Sequence, residues 1–199
     1  MVQNAGRRAR RRSKIIVAAL IVALALLATY LTITLRYKLD HGNFGANPQA
    51  LSSAAAGPYT EYRYLAQPGR SIEYGFSIAN RGPLTIRLKE VTSDGRPAYT
   101  VDQVHVNVDA GREGFERGKA TPFKPIDLAA GDQIFVWVTL RFSDDLLLNY
   151  QPPCAGISLA TQRVRFDVLG MQRRQSVPIG YFVSLETPGA DGRPCRGGE

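Results

Sequence analysis

At 199 residues with a net charge of +8, the chain has the bulk charge of a nucleic-acid-binding protein, so where that charge lies decides what it means. Residues 1–14 hold six basic side chains (Arg7, Arg8, Arg10, Arg11, Arg12 and Lys14) and no acid, leaving nineteen basic against seventeen acidic residues for the rest. The remainder is close to neutral, which excludes a basic nucleic-acid-binding face and leaves room for one soluble domain of common size.

The first element is the basic run itself, followed from Ile15 to Leu35 by IIVAALIVALALLATYLTITL, 21 residues without a charge. As a helix this stretch spans about 31 Å, the thickness of the hydrocarbon core of a bilayer. Six positive charges precede it and only Arg36 and Lys38 follow closely, so the N-terminus is expected in the cytoplasm and the remainder outside. The apolar run is longer than the core of a secretory signal, and the nearest Ala-x-Ala, Ala54 to Ala56, lies far beyond it. An uncleaved signal-anchor is therefore expected, in contact with the lipid bilayer through residues 15–35.

Residues 36–57 are rich in Gly, Ala, Ser and Asn with no sustained apolar period, and are expected to form a flexible tether. From residue 58 the pattern becomes alternation. Ile72, Tyr74, Phe76 and Ile78 are apolar at every second position; so are Leu84, Ile86 and Leu88, then Val104, Val106 and Val108. Ile134, Val136, Val138, Leu140 and Phe142 form the longest such face, followed by Val164, Phe166 and Val168 and a last run from Ser176 to Leu185. Turn residues separate them at Asn80-Arg81-Gly82-Pro83, Ser93-Asp94-Gly95, Ala130-Gly131-Asp132 and Leu169-Gly170-Met171, while residues 113–128 and 144–156 read as long loops. About seven short strands without intervening helices predict a mainly β fold, an antiparallel immunoglobulin-like β-sandwich over 58–199, behind one transmembrane helix.

The run FKPIDLAAGDQIFVWVTLRF, then a cysteine, a strand ending in VLG, another ending in a proline and a final cysteine, resembles uncharacterised actinobacterial single-pass membrane proteins with an extracytoplasmic immunoglobulin-like ectodomain. The likeness extends from about Ile72 to Cys195. The scarcity of lysine, five of 25 basic residues, against abundant Ala, Gly and Arg agrees with a GC-rich bacterial source. Its shared elements are strand and turn signals, so it implies a fold and a compartment, and a binding or assembly role by analogy alone.

Chemistry-bearing residues are few. Serine hydrolysis needs a histidine in reach of a nucleophile; His41 falls in the expected tether, and His105 points away from the valine face of its strand as a solvent-facing structural residue. No nucleophile elbow, phosphate loop or dinucleotide fingerprint occurs. Soft-metal sites need clustered Met, His or Cys, and the methionines are Met1 and Met171. Asp144 and Asp145 with Asp109, Asp127 or Asp132 have no diagnostic calcium spacing and read as solvated loop carboxylates. Cys154 and Cys195 share the compartment beyond the helix and are expected to form a disulfide, two free thiols being the alternative. Phe135 and Trp137 lie on the face opposite the core face of the longest strand: core if that sheet is covered on both sides, a partner patch if it is open. The expectation is a non-catalytic interaction or assembly module of the cell envelope, needing no cofactor and partnered by another envelope or membrane protein. The alternative is a small-ligand or metal-ion binding domain using the long loops.

Overall fold

A computed structural model describes residues 3–46, 50, 52–57, 59–93, 96, 98–108, 117–144, 153–190 and 192–194. It divides into a helical unit ending at Tyr37 and a β unit beginning at Lys38. The helical unit is one helix, α1 (Gln3–Arg36), so helical backbone takes in the basic run as well as the apolar one. Within it Ile16–Arg36 has a mean hydropathy of 2.6 and is long and apolar enough to cross a membrane, which fits a signal anchor or a signal sequence. Thr29 and Thr32 in this stretch donate to the carbonyls of Ala25 and Ala28, four residues back, so their hydroxyls are satisfied inside the helix.

The β unit is a two-sheet sandwich. Its strands in chain order are β1 (Asp40–Ala46), β2 (Ser52–Ala56), β3 (Tyr59–Leu65), β4 (Ser71–Ala79), β5 (Ile86–Thr92), β6 (Tyr99–Asn107), β7 (Thr121–Pro122), β8 (Ile126–Leu128), β9 (Gln133–Phe142), β10 (Gly156–Val168) and β11 (Met171–Glu186). One sheet has the order β1-β4-β9-β6-β7 and the other β2-β3-β11-β10-β5-β8. The alternating runs put Tyr74, Phe76 and Ile78 of β4 and Ile134, Val136, Val138 and Leu140 of β9 in the interior, each no more than 1% exposed. Leu88, Val164, Phe166, Val177 and Val183 are buried to the same degree on the strands of the other sheet. Polar ties cross this layer: the Tyr181 hydroxyl donates to the Gly75 carbonyl, and the Tyr74 hydroxyl donates to Gln162, whose amide donates to the Thr92 carbonyl. Each of these three donors thus has an acceptor, as an apolar interior demands.

The first predicted turn is a clasp. Asn80, fully buried, donates through Nδ2 to the carbonyls of Leu84, Leu128 and Ala129 at 2.8–2.9 Å, and its Oδ1 accepts from the Gly82 amide. One side chain so holds the turn after β4 to the turn before β9.

Four expectations are corrected. Residues 36–57 are not simply a tether: β1 pairs antiparallel with β4, and β2 with β3. These strands extend sheet edges with backbone hydrogen bonds and contribute no apolar alternation, which is why composition hid them. The sandwich is not wholly antiparallel, because β3 runs parallel to β11, Tyr62 opposite Val183. Part of the expected loop 113–128 is ordered as a single 3₁₀ turn at Arg117–Lys119 followed by β7 and β8. The fourth correction concerns Phe135 and Trp137. They are 0% and 3% exposed and meet edge to face with ring centroids 5.0 Å apart, so they form no surface patch. They belong to a small second cluster, with Ala120 packed against it, on the outer side of their sheet.

Candidate functional site

A cleft arises where β11 departs from its partner. Up to Pro178, which faces Thr161, the strand pairs in register with β10; pairing resumes only at Val183, which faces Leu159. Ala160 alone therefore stands opposite Ile179, Gly180, Tyr181 and Phe182. Pro178 brings no N–H to the ladder, and Gly180 adopts φ +91°, a conformation open to residues without a Cβ. Bulges of this kind re-aim side chains, and here the strand turns toward β1 and β3.

The resulting cleft has a volume of about 360 Å³. Ala160, Thr161, Pro178 and Phe182 line it, with Tyr59 from β3 and Asp40 and His41 from β1. Aromatic pairs stiffen the wall: Tyr59 meets Phe182 edge to face at 5.6 Å, and Tyr62 meets Tyr181 at 5.3 Å. Tyr59 stays half exposed, presenting an aromatic surface to whatever enters.

The polar side of the cleft is fixed by its own chain. Asp40 accepts from the His41 amide at 2.8 Å and lies 3.6 Å from the Arg81 guanidinium. The His41 ring is near Gly180, and its Nδ1 is 2.8 Å from the Gly42 carbonyl. A carbonyl can only accept, so in this contact Nδ1 carries a proton. Aromatic walls with a carboxylate, a hydroxyl and an imidazole form a surface suited to holding a small amphipathic ligand.

His41 is thus on a strand and in the cleft rather than in a tether. His105 is half-buried on β6, opposite Trp137 on β9, and not solvent-facing. Asp127 is 3.6 Å from Arg87, Asp109 and Asp145 lie outside the described residues, and no three His, Cys, Asp or Glu side chains gather to hold a metal among the described residues. Cys154 sits in a turn at φ +61°; no cysteine among the described residues is free, and its expected partner Cys195 lies outside them. The cleft had one signal in the sequence: a proline and a glycine inside the run from Ser176 to Leu185, where an uninterrupted strand has neither.

Fold and cleft together define a two-sheet β-sandwich behind one long apolar N-terminal helix. No known family matches the chain, and no curated protein matches it. Among solved structures it is similar to the VesB protease of Vibrio cholerae (TM-score 0.34, 11% identity), covering 80% of this chain and 34% of that one. It is similar also to PapD-like domain 7 of human CEP192 (TM-score 0.30, 11% identity, 73% of this chain and 91% of that one). A third likeness is to an uncharacterised β-sandwich protein from Clostridium difficile (TM-score 0.26, 12% identity, 76% and 80%). The chain spans about a third of the length of the VesB protease, and none of these likenesses bears on activity.

Proposed function

We propose that the chain is a single-pass membrane protein with residues 1–14 in the cytoplasm and the sandwich outside, acting as a non-catalytic interaction or assembly module that engages another envelope protein. The observation that carries this reading is the contrast among the four sheet edges that the described residues form. Three are blunted: β1 by a bulge between His41 and Gly45, β7 by its two-residue length and Pro122, and β8 by its three residues and the charge of Asp127. The fourth, β2, is Ser-Ser-Ala-Ala-Ala, five residues without charge, proline or register shift against β3. An unguarded edge is a template on which an extended segment of a partner can add a strand.

The test is site-specific photo-crosslinking of the full-length protein in its native membrane, with the photoreactive residue at Ser53 on β2 or at Thr121 on β7. A discrete adduct to another protein from Ser53 and none from Thr121, lost when Ala55 is replaced by Lys with the photoreactive residue kept at Ser53, is the expected result. An absence of adduct, or an adduct only to a second copy of the chain, overturns the reading. The aromatic cleft favours a second reading, the binding of a small ligand, for which Tyr59→Ala would abolish any ligand-induced rise in melting temperature.

A further inference from the structure

The outer face of the six-stranded sheet carries a second hollow, of about 280 Å³, lined by Glu90, Thr92, Arg163, Val164, Arg165 and Arg174. Its construction follows from register. Val164 and Phe166 of β10 point into the core, so Arg163 and Arg165 point out. Arg165 faces Arg174 on one side and Glu90 on the other, while Arg163 faces Thr92 and Ser176. Three guanidiniums from two strands therefore converge on one patch.

Only one of them is neutralised. Arg165 Nη2 lies 2.6 Å from Glu90, while Arg163 and Arg174 have no ion pair among the described residues. On the neighbouring strand β5 the cations are matched: Lys89 lies 3.1 Å from Asp167, and Arg87 lies 3.6 Å from Asp127. Like charges directly opposite one another weaken a strand pair, so the Arg165–Arg174 juxtaposition is a standing cost. In addition Arg165 Nε is shielded from water with no hydrogen-bond partner among the described residues, an unsatisfied donor beside the hollow.

We propose that this hollow is a binding site for a phosphoryl group, held by Arg163 and Arg174 with Arg165 and the Thr92 hydroxyl beside them. Each free guanidinium is a planar fork that engages two oxygens at once. A carboxylate has two oxygens and satisfies one fork; a phosphate monoester has three terminal oxygens and can meet both, and a diester adds its two ester oxygens to the two that carry its charge. Its negative charge also removes the repulsion between Arg165 and Arg174. The site shares no residue with the cleft and does not involve the β2 edge, so it stands apart from the proposed function.

The group can come from free phosphate or from a phospholipid headgroup, and the test separates the two. The full-length protein in a nonionic detergent is titrated with inorganic phosphate, with sodium acetate at matched ionic strength, and with micelles doped with phosphatidylglycerol, binding being read by calorimetry. The parallel titrations use the double variant Arg163→Gln/Arg174→Gln and the control Arg87→Gln, all three substituted positions being exposed. The basic N-terminal run is present in every protein and drops out of the comparison. Phosphate or phosphatidylglycerol should bind the double variant about tenfold or more weakly than the parent and the control, and acetate should bind the parent more weakly by a similar factor. Loss confined to phosphatidylglycerol identifies a lipid headgroup, and loss confined to phosphate a soluble ester. Equal binding of parent and double variant, equal affinity for acetate, or no binding of either probe overturns the proposal.

Discussion

Gly75 shows how single residues shape this sandwich. On the outer side of β4 the rings of Phe135 and Trp137 close over it, and a Cβ there would lie 2.6 Å from Phe135 Cε1 and Cζ and 2.9 Å from Trp137. The glycine's missing side chain is replaced by cross-strand aromatic surface. Gly75→Ala should destabilise the protein by about 2 kcal/mol through overpacking, and adding Phe135→Leu should recover part of the loss. Denaturant unfolding followed by the fluorescence of Trp137, the single tryptophan, measures both variants; a neutral Gly75→Ala would show that the rings do not cover it. Tyr64 gives a pH signature. Burial, with the Tyr62 phenol adding to it, pushes the Tyr64 phenol far above its ordinary value of about 10. The stability this contributes is complete below pH 10 and is lost as pH rises, because the unfolded chain releases the proton while the folded chain keeps it. Between pH 10 and 11.5 wild type should lose stability more steeply than Tyr64→Phe, by up to about 1.4 kcal/mol per pH unit. Equal slopes would count against a buried neutral phenol.

The legibility of an element followed from what it contributes to the core. β4 and β9 place a side chain in the interior at every second residue, so period two announced them and their burial follows the alternation. β9 also carried a signal of burial on both faces, five consecutive apolar residues from Ile134 to Val138, which alternation alone discounts. β1 and β2 give sheet edges their backbone, and β3 reaches β11 across more than a hundred residues, so neither local composition nor turn chemistry could disclose them. The β10–β11 turn was legible, yet it is imperfect for its geometry. Val168 pairs with Met171, leaving a two-residue loop with φ +49° at Leu169 and +80° at Gly170, the pattern of a type I′ turn. Leu169 is also half exposed, so it gives up little core contact for this strained backbone. Leu169→Asn should raise stability by about 1 kcal/mol, read as a shift in denaturant midpoint at unchanged slope. A loss instead would mean that the leucine packs against something more costly than its backbone strain.

At the scale of the whole molecule, the question is what holds the end of the chain to the sandwich, and the answer we expect is a Cys154–Cys195 disulfide. The final strand ends at Glu186, and the next residue, Thr187, is buried. Its amide donates to the Ala155 carbonyl at 2.9 Å, and its Oγ1 accepts from the Ala155 amide at 3.0 Å. The residue beside Cys154 is thereby fixed against the segment that leads to Cys195. Between them the Gly189 amide donates to the Arg193 carbonyl at 2.8 Å, a tight turn that keeps the intervening residues compact. A bond between the cysteines would close a loop of about 40 residues, worth roughly 4 kcal/mol in the chain-entropy account. That is a large share of the stability of an ordinary domain, so its loss should be visible in two ways. The reduced full-length protein should melt lower, and trypsin should cut after Arg196, whose following residue is Gly197, faster once reductant is added, while β4, β9 and β10 resist for as long as the sandwich stays folded. Unreduced tryptic digests should contain the Cys154 and Cys195 peptides joined. Recovery of both as alkylated free thiols, from protein trapped at the moment of lysis, would leave the chain end held by Thr187 and its turn alone.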